Sequence, residues 1–374
     1  MVDTTLVDRH EPLWKRLPVV VQLRRSTGWQ RAMLIVGVVI CALYLLVAVF
    51  APLLAPYGFG QLQGADGQSF PRTGEPSAEH IWGTTVGGFD VFSRVLYGAR
   101  TAVLVVIVAV IVSIIVGVLL GMVSGYLGGW LDRVLVVVAD AIYAFPSLLL
   151  AIIVSIVISG GNSSYSGGII AAAISITVVY VPQYFRVVRA EAVRLKNDAF
   201  VESARVMGTN PWRIMTRHVL RNSTRSLPLI LTLNASDAIL TLAGLGFLGF
   251  GIGPTSGAEW GYDLSRALSD VASGVWWTGV YPGVAIVVLV LGVTFIGESL
   301  NDISDPRLRA RRRLKQLVST RETRETRETR ETRETRETRE TRETRETRET
   351  ATARDTRDAE APRTAGNDTE GTGA

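Results

Sequence analysis

Hydrophobic positions in this chain gather into six runs, Ala32 to Ala55, Thr101 to Ser124, Val134 to Ile158, Gly168 to Phe185, Leu227 to Phe250 and Gly279 to Gly297, with polar stretches between them. At a rise of ~1.5 Å per residue, a helix of about twenty residues crosses the ~30 Å hydrocarbon layer of a bilayer. The pattern predicts an all-α membrane protein: a leader over 1–31, a six-helix transmembrane domain over 32–310 and a tail over 311–374. A hydrophobic content of 48% and a mean hydropathy of +0.27 agree. Gly117, Gly121 and Gly125 form a small-residue ridge along the second run, suited to close packing against another span or subunit. GLGFLGFGIG, Gly244 to Gly253, ends the fifth run; it reads equally as helix termination or as a constriction facing a partner. Trp260, Trp276 and Trp277 beyond it read as interface anchors.

The polar stretch between the fourth and fifth runs, 186–225, is itself patterned. Good helix formers fill Glu191 to Met207, and Val193, Phe200, Ala204 and Met207 recur at helical spacing, so one helix is predicted there. Gly208 supplies the residue that most easily turns left-handed to close it, and Asn210-Pro211 reads as an N-cap with a first-turn proline, opening a second helix to about Asn222. Two short helices about a glycine also describe a DNA-reading helix-turn-helix. Flanking membrane runs argue against a nucleic-acid partner.

Charge sets an orientation. The leader carries Arg9, Lys15, Arg16, Arg24, Arg25 and Arg31, whereas Ser159 to Gly167 has no basic residue. Cationic connections stay in the cytoplasm, which places both termini there. With six spans, 186–225 is cytoplasmic as well, consistent with Arg186, Arg189, Arg194, Lys196, Arg205, Arg213, Arg217, Arg221 and Arg225. The Gly251 to Thr278 connection, with Arg266 alone, falls outside. The first run is longer than a signal-peptide core and lacks a small-x-small site after it, so it reads as a retained anchor. Cys41 within it reads as an apolar filler. After Lys315 the character changes: Arg-Glu-Thr repeats ten times from Arg321 to Thr350, with no net charge and nothing apolar to bury, so disorder is predicted over a charged helix.

Candidate chemistry is sparse. None of Lys15, Lys196 and Lys315 follows a glycine, so the chain has no P-loop with which to hold ATP. His10, His80 and His218 are scattered, with no cysteine or acidic cluster at ligand spacing, and no nucleophile–base pair stands out. Asp140 and Asp237 fall inside predicted spans, where ionisable residues mark pathways; each reads as lining a pathway or packing against a helix rather than relaying protons.

Glu202-Ser203-Ala204, three residues, then Gly208 resembles the EAA-x-x-x-G signature of permeases in ABC importers. His80 to Arg100, Asp132 to Ile152, LGFLGFGIGP, Glu259 to Gly261 and Gly297 to Arg309 resemble, in the same order, the C-type permease of dipeptide and oligopeptide importers. The resemblance covers about residues 30 to 310 and implies the type I importer architecture. It implies a non-catalytic subunit of a bacterial cytoplasmic membrane that pairs with a sister permease, two ATP-binding cassette subunits holding ATP and Mg, and an extracytoplasmic binding protein delivering peptide. On that reading Glu202, Ser203, Ala204 and Gly208 form the ATPase-coupling element. Ser203 and Ala204 are small so that it can seat, and Arg205, Arg213 and Arg217 either pair with acidic ATPase groups or hold the segment inside. Thr85, Phe89, Arg221 and Leu242 depart from the family pattern, where Asp, Arg, Pro and an acidic residue are usual; Arg221 would let the second helix continue toward the fifth span.

Three further readings stay open from the residues: a permease of the same family for nickel or another small solute, an ion-coupled secondary transporter working alone, and a membrane scaffold whose transport function has decayed. The lack of a buried charge relay weighs against the second.

Overall fold

The structure is a computed structural model that describes residues 29–160, 165–224, 227–253, 257–304, 330 and 333–350. The leader expected over 1–31 lies outside these up to residue 28, as do 305–329 and 351–374. The described residues up to Ser304 form one compact unit, and the described residues beyond it belong to a second.

In the first unit, α1 (Trp29–Leu54) and α2 (Val91–Leu127) flank a long connection. Asp90 starts α2 by accepting the Ser93 amide at 2.8 Å. Next come α3 (Gly129–Tyr143), α4 (Ser147–Ser159), α5 (Tyr165–Leu195) and α6 (Ala199–Val206). The short α7 (Pro211–Arg213) runs through a π-helical stretch (Ile214–Val219) into α8 (Leu220–Ser223). Then follow α9 (Leu227–Phe247), α10 (Trp260–Ala272) and α11 (Trp277–Ser304). Among the described residues, five helices are long and apolar enough to cross a membrane, and α3 with α4 makes a sixth if the bent pair is one span.

That third span differs from the continuous helix expected over Val134 to Ile158: α3 and α4 meet at 100° across Ala144-Phe145-Pro146. Proline lacks the N–H of the helical ladder and drives the residue before it out of the helical region, so the helix stops before Phe145 and restarts after Pro146.

The glycine ridge packs against another span of the same chain. A Cβ on Gly117, Gly121 or Gly125 would lie 2.5 Å from Tyr184 Cβ, 2.6 Å from the Phe185 carbonyl and 2.7 Å from the Arg189 carbonyl, respectively, all on α5. Ser113 Oγ donates to the Thr177 carbonyl at 3.3 Å on the same interface. Asp132 of α3 closes it at one end, accepting from Ser124 Oγ at 2.5 Å and from Arg189 Nε and Nη2 at 2.5 and 2.7 Å. On the other side of the bundle α1 meets α11 through Gly37 and Gly292, and Tyr44 donates to the Ala285 carbonyl at 2.8 Å. Large apolar side chains such as Val39, Leu43, Leu46, Val49 and Leu53 stay exposed on α1, as a helix facing lipid requires.

The second unit corrects an expectation. Residues 333–350, within the Arg-Glu-Thr repeat, form a fully exposed helix rather than a disordered tail. The spacing sets Arg before Glu at i,i+4, and loose pairs such as Arg330–Glu334 (3.4 Å) and Arg345–Glu349 (3.3 Å) follow. Threonines along it turn their hydroxyls back onto the preceding turn, as Thr350 does to the Glu346 carbonyl at 2.6 Å.

Candidate functional site

The basic segment is built differently from the single helix expected over Glu191 to Met207. Helix α5 continues through Arg186 and Arg189 to Leu195, the chain turns at Lys196-Asn197, and α6 begins after Asp198, an extended N-cap. Asn and Asp favour caps and turns over helix interiors, which is what breaks the run. Gly208 closes α6 at φ 75°, and Thr209 N–H donates back to the Ala204 carbonyl at 3.0 Å. Asn210 then caps the next helix through Trp212 N–H at 2.9 Å, with Pro211 in its first turn. The helix runs past Arg221 to Ser223, as a residue other than proline there permits.

Ala192, Leu195, Val201, Ala204, Ile214 and Val219 close a small core of their own. Ala204 packs inward, as its place on the apolar stripe predicts, and so does not lie on the exposed face where the coupling reading put it. Phe200 and Met207, expected on the apolar stripe, instead face outward with Val206 and Trp212; Val206, Met207 and Trp212 are 85%, 77% and 66% exposed. Glu202 and Ser203 are exposed beside them, Ser203 Oγ donating to the Ala199 carbonyl at 2.8 Å. Arg205 lies 5.9 Å from the Tyr126 ring, while Arg213 and Arg217 are exposed with no ion pair among the described residues. Large apolar side chains held out by a rigid local core form a surface fit for a protein partner.

A second feature is a cavity of about 690 Å³ between α5, α9 and α11, lined by Tyr143, Gln183, Arg186, Asn234, Asp237 and Thr294 among others. Leu233, Asp237 and Leu240, one face of α9, are exposed, so its wall is open on that side. Asp237 accepts from Tyr180 Oη at 2.8 Å. Asp140 does not line this cavity; it pairs with Arg186 at 2.8 Å across α3 and α5, and Arg186 stacks 4.2 Å from the Tyr143 ring. The helix-to-helix reading of Asp140 thus has a partner, an exposed arginine that sequence spacing did not reveal.

At the opposite end of α2 from Tyr126, the motif blocks come together. Asp90 holds His80 at 2.9 Å, and buried Arg94 binds Asp263 through Nη2 at 2.6 Å and Nε at 2.8 Å. Glu259 caps α10, accepting from Gly261 and Tyr262 amides at 2.9 and 2.7 Å. Burial pushes its carboxyl up to about 8 despite those two amides, and burial raises Asp263 despite Arg94. Trp260 and Trp277 are buried here rather than serving as interface anchors, donating to the Val95 and Thr84 carbonyls at 3.0 and 3.2 Å; Trp276 stays exposed. Gly98 seats Trp260, and Gly246 seats Glu259. The glycine-rich end of α9 is thus a packed helix terminus. Of the departing residues, Thr85 and Phe89 line a pocket of about 300 Å³ with Arg94, Asp263 and Asp270, and Leu242 is buried in the main core.

With this geometry in view, comparison with known proteins is specific. The family described as binding-protein-dependent transport system inner membrane component matches residues 117–310. The dipeptide transport system permease protein DppC of Escherichia coli K12 is 40% identical, over 74% of this chain and 89% of its own length. DppC of Alkalihalophilus pseudofirmus is 36% identical, over 74% and 86%. The glutathione transport system permease protein GsiD of Pectobacterium atrosepticum is 32% identical, over 81% and 99%.

Proposed function

This chain belongs to the family of binding-protein-dependent transport system inner membrane components, and from that premise we propose that it is the peptide-conducting permease half of an ATP-driven importer. The observation that carries the reading is the outward-turned surface of Phe200, Val206, Met207 and Trp212, held by the core of α6 to α8. That surface docks in an ATP-binding cassette subunit, with Glu202 and Ser203 at its rim and Arg205, Arg213 and Arg217 meeting acidic groups. ATP and Mg are held, and hydrolysis occurs, in those separate subunits.

Both termini and the coupling segment 186–225 face the cytoplasm, so the Arg94 cluster faces outward, toward a solute-binding protein. A sister permease closes the open wall of the 690 Å³ cavity beside Asp237. The relatives named for dipeptide and glutathione transport favour peptides over nickel as cargo. The test is reconstitution with candidate sister permease, ATPases and binding protein in proteoliposomes. ATP-dependent uptake of dipeptide is expected, together with a Ser203→Cys crosslink to the ATPase. Uptake by this chain alone under an ion gradient would sink the proposal.

A further inference from the structure

We propose that Asp237 is the residue that receives the N-terminal ammonium of the peptide as it passes through the membrane, an inference that rests on the importer reading above. The cavity wall holds two charged side chains, Arg186 and Asp237. They are not equivalent. Arg186 is already neutralised by Asp140 at 2.8 Å and stacked on Tyr143. Asp237 has no cationic partner among the described residues; its carboxylate accepts from Tyr180 Oη at 2.8 Å on Oδ2, and its backbone carbonyl accepts from Thr241 Oγ1 at 2.9 Å. On the side of the cavity that this chain lines, the uncompensated charge is therefore a single carboxylate.

That carboxylate is placed, not merely present. Tyr180 is almost wholly buried, and its hydroxyl also meets Thr241 Oγ1 at 3.0 Å, one turn along α9 from Asp237. Tyr180 thus fixes the direction of one carboxylate oxygen, Oδ2, and leaves Oδ1 for a ligand. Asp237 also lines a smaller cavity of about 230 Å³ that reaches Phe145, Ser147 and Leu150 at the break in the third span, so it sits between two spaces. A carboxylate kept unpaired inside a membrane span is costly to hold, and a cationic group on the passing solute supplies the missing partner. Every unblocked peptide carries that group whatever its side chains, so recognition here is independent of sequence. Tyr180 is a positioning residue and Asp237 the binding residue.

The test uses the complete importer in proteoliposomes. Wild-type uptake of labelled Ala-Ala establishes the importer reading first; its absence speaks against that reading alone. Given uptake, Asp237→Asn is expected to slow it about tenfold or more, the scale of a lost charge-assisted hydrogen bond, with partial recovery in Asp237→Glu. Water-soluble carbodiimide should join the amine of Ala-Ala to the Asp237 carboxyl as an amide, with the reagent leaving as its urea, and mass spectrometry should find the adduct on that residue. N-acetyl-Ala-Ala should give none. Uptake in Asp237→Asn at the wild-type rate, or no adduct at Asp237 in a complex that imports Ala-Ala, overturns the proposal.

Discussion

Replacing Gly121 with alanine tests the helix interface on which the rest of the bundle is hung. The added methyl would lie 2.6 Å from the Phe185 carbonyl oxygen, 3.1 Å from the Arg189 nitrogen and 3.2 Å from Phe185 Cα. All three are backbone atoms, so no side chain can turn away and α2 and α5 must part toward the ~3.5 Å of ordinary contact. Overpacking of this kind costs ~1–3 kcal/mol. The same parting stretches the bonds of Ser113 to Thr177 and of Thr177 to Ala109, already 3.3 and 3.4 Å, which places the cost in the upper half of that range. Alanine returns about 1 kcal/mol through its helix propensity, leaving a net loss of ~1–2 kcal/mol, or roughly five- to thirtyfold in the folded-to-unfolded ratio. Unfolding by SDS titration in micelles, followed by tryptophan fluorescence, should show the lowered midpoint. Gly60→Ala, where an added Cβ meets nothing within 4 Å, should leave it unchanged. Gly117→Ala with Gly121→Ala should cost less than the two singles together, because the first substitution already separates the helices. A Gly121→Ala midpoint equal to wild type refutes the close-contact account.

Other expectations follow from the same contacts. At Gly208 an added Cβ meets no atom within 4 Å, so the penalty of Gly208→Val is chiefly conformational: a β-branched residue at φ 75° should unseat the turn between α6 and α7 and lower peptide uptake per ATP hydrolysed while membrane insertion is kept. Coupled uptake at the wild-type ratio would contradict this. Gly246→Ala puts a methyl on the Glu259 carboxylate, so that side chain must leave its cap on α10, at a cost of ~1–2 kcal/mol in the micelle titration. Burial raises Glu259 from 4.5 to about 8, so its contribution is full below the unfolded value and is lost as pH rises through 8. Stability should therefore fall between about pH 4.5 and 8, and Glu259→Gln should flatten that slope; an unchanged slope refutes the assignment.

Much of the frame was legible because spans and caps are written in local residue types. Six apolar runs, Gly208, the Asn210-Pro211 opening and the glycine ridge each announce themselves within a few positions. What escaped depended on a competing local rule or on distant partners. Pro146 sits inside a predominantly apolar run, and hydropathy alone does not register the lost ladder bond that bends α3 against α4. Asn197-Asp198 likewise interrupts a string of good helix formers. Trp260 and Trp277 look like interfacial anchors until Gly98 and Thr84, more than 160 residues away in sequence, supply the pocket and the acceptor. Ala204 turns inward while Phe200 and Met207, placed on the same stripe, turn outward, because the register of α6 is set by the small core beneath it, which spacing measured across the break at Asn197 could not give.

Helix α5 links the two candidate regions physically. Tyr180, Gln183 and Arg186 border the cavities, Tyr184 and Val188 belong to the main core, and Ala192 and Leu195 belong to the core of the coupling segment. From Tyr180 to Leu195 the helix spans roughly 22 Å. Tyr126, at the end of α2, packs against both cores, and Arg189 ties the same stretch of α5 to Asp132 on α3. Displacing α6 therefore loads α5 directly and α2 and α3 through it. Pro182 withholds from α5 the ladder bond to the Val178 carbonyl, which opens that helix's hydrogen-bond ladder beside Tyr180 and Gln183. On the importer reading proposed above, a push received at α6 would be carried by this braced length of helix toward the proline break beside Tyr180.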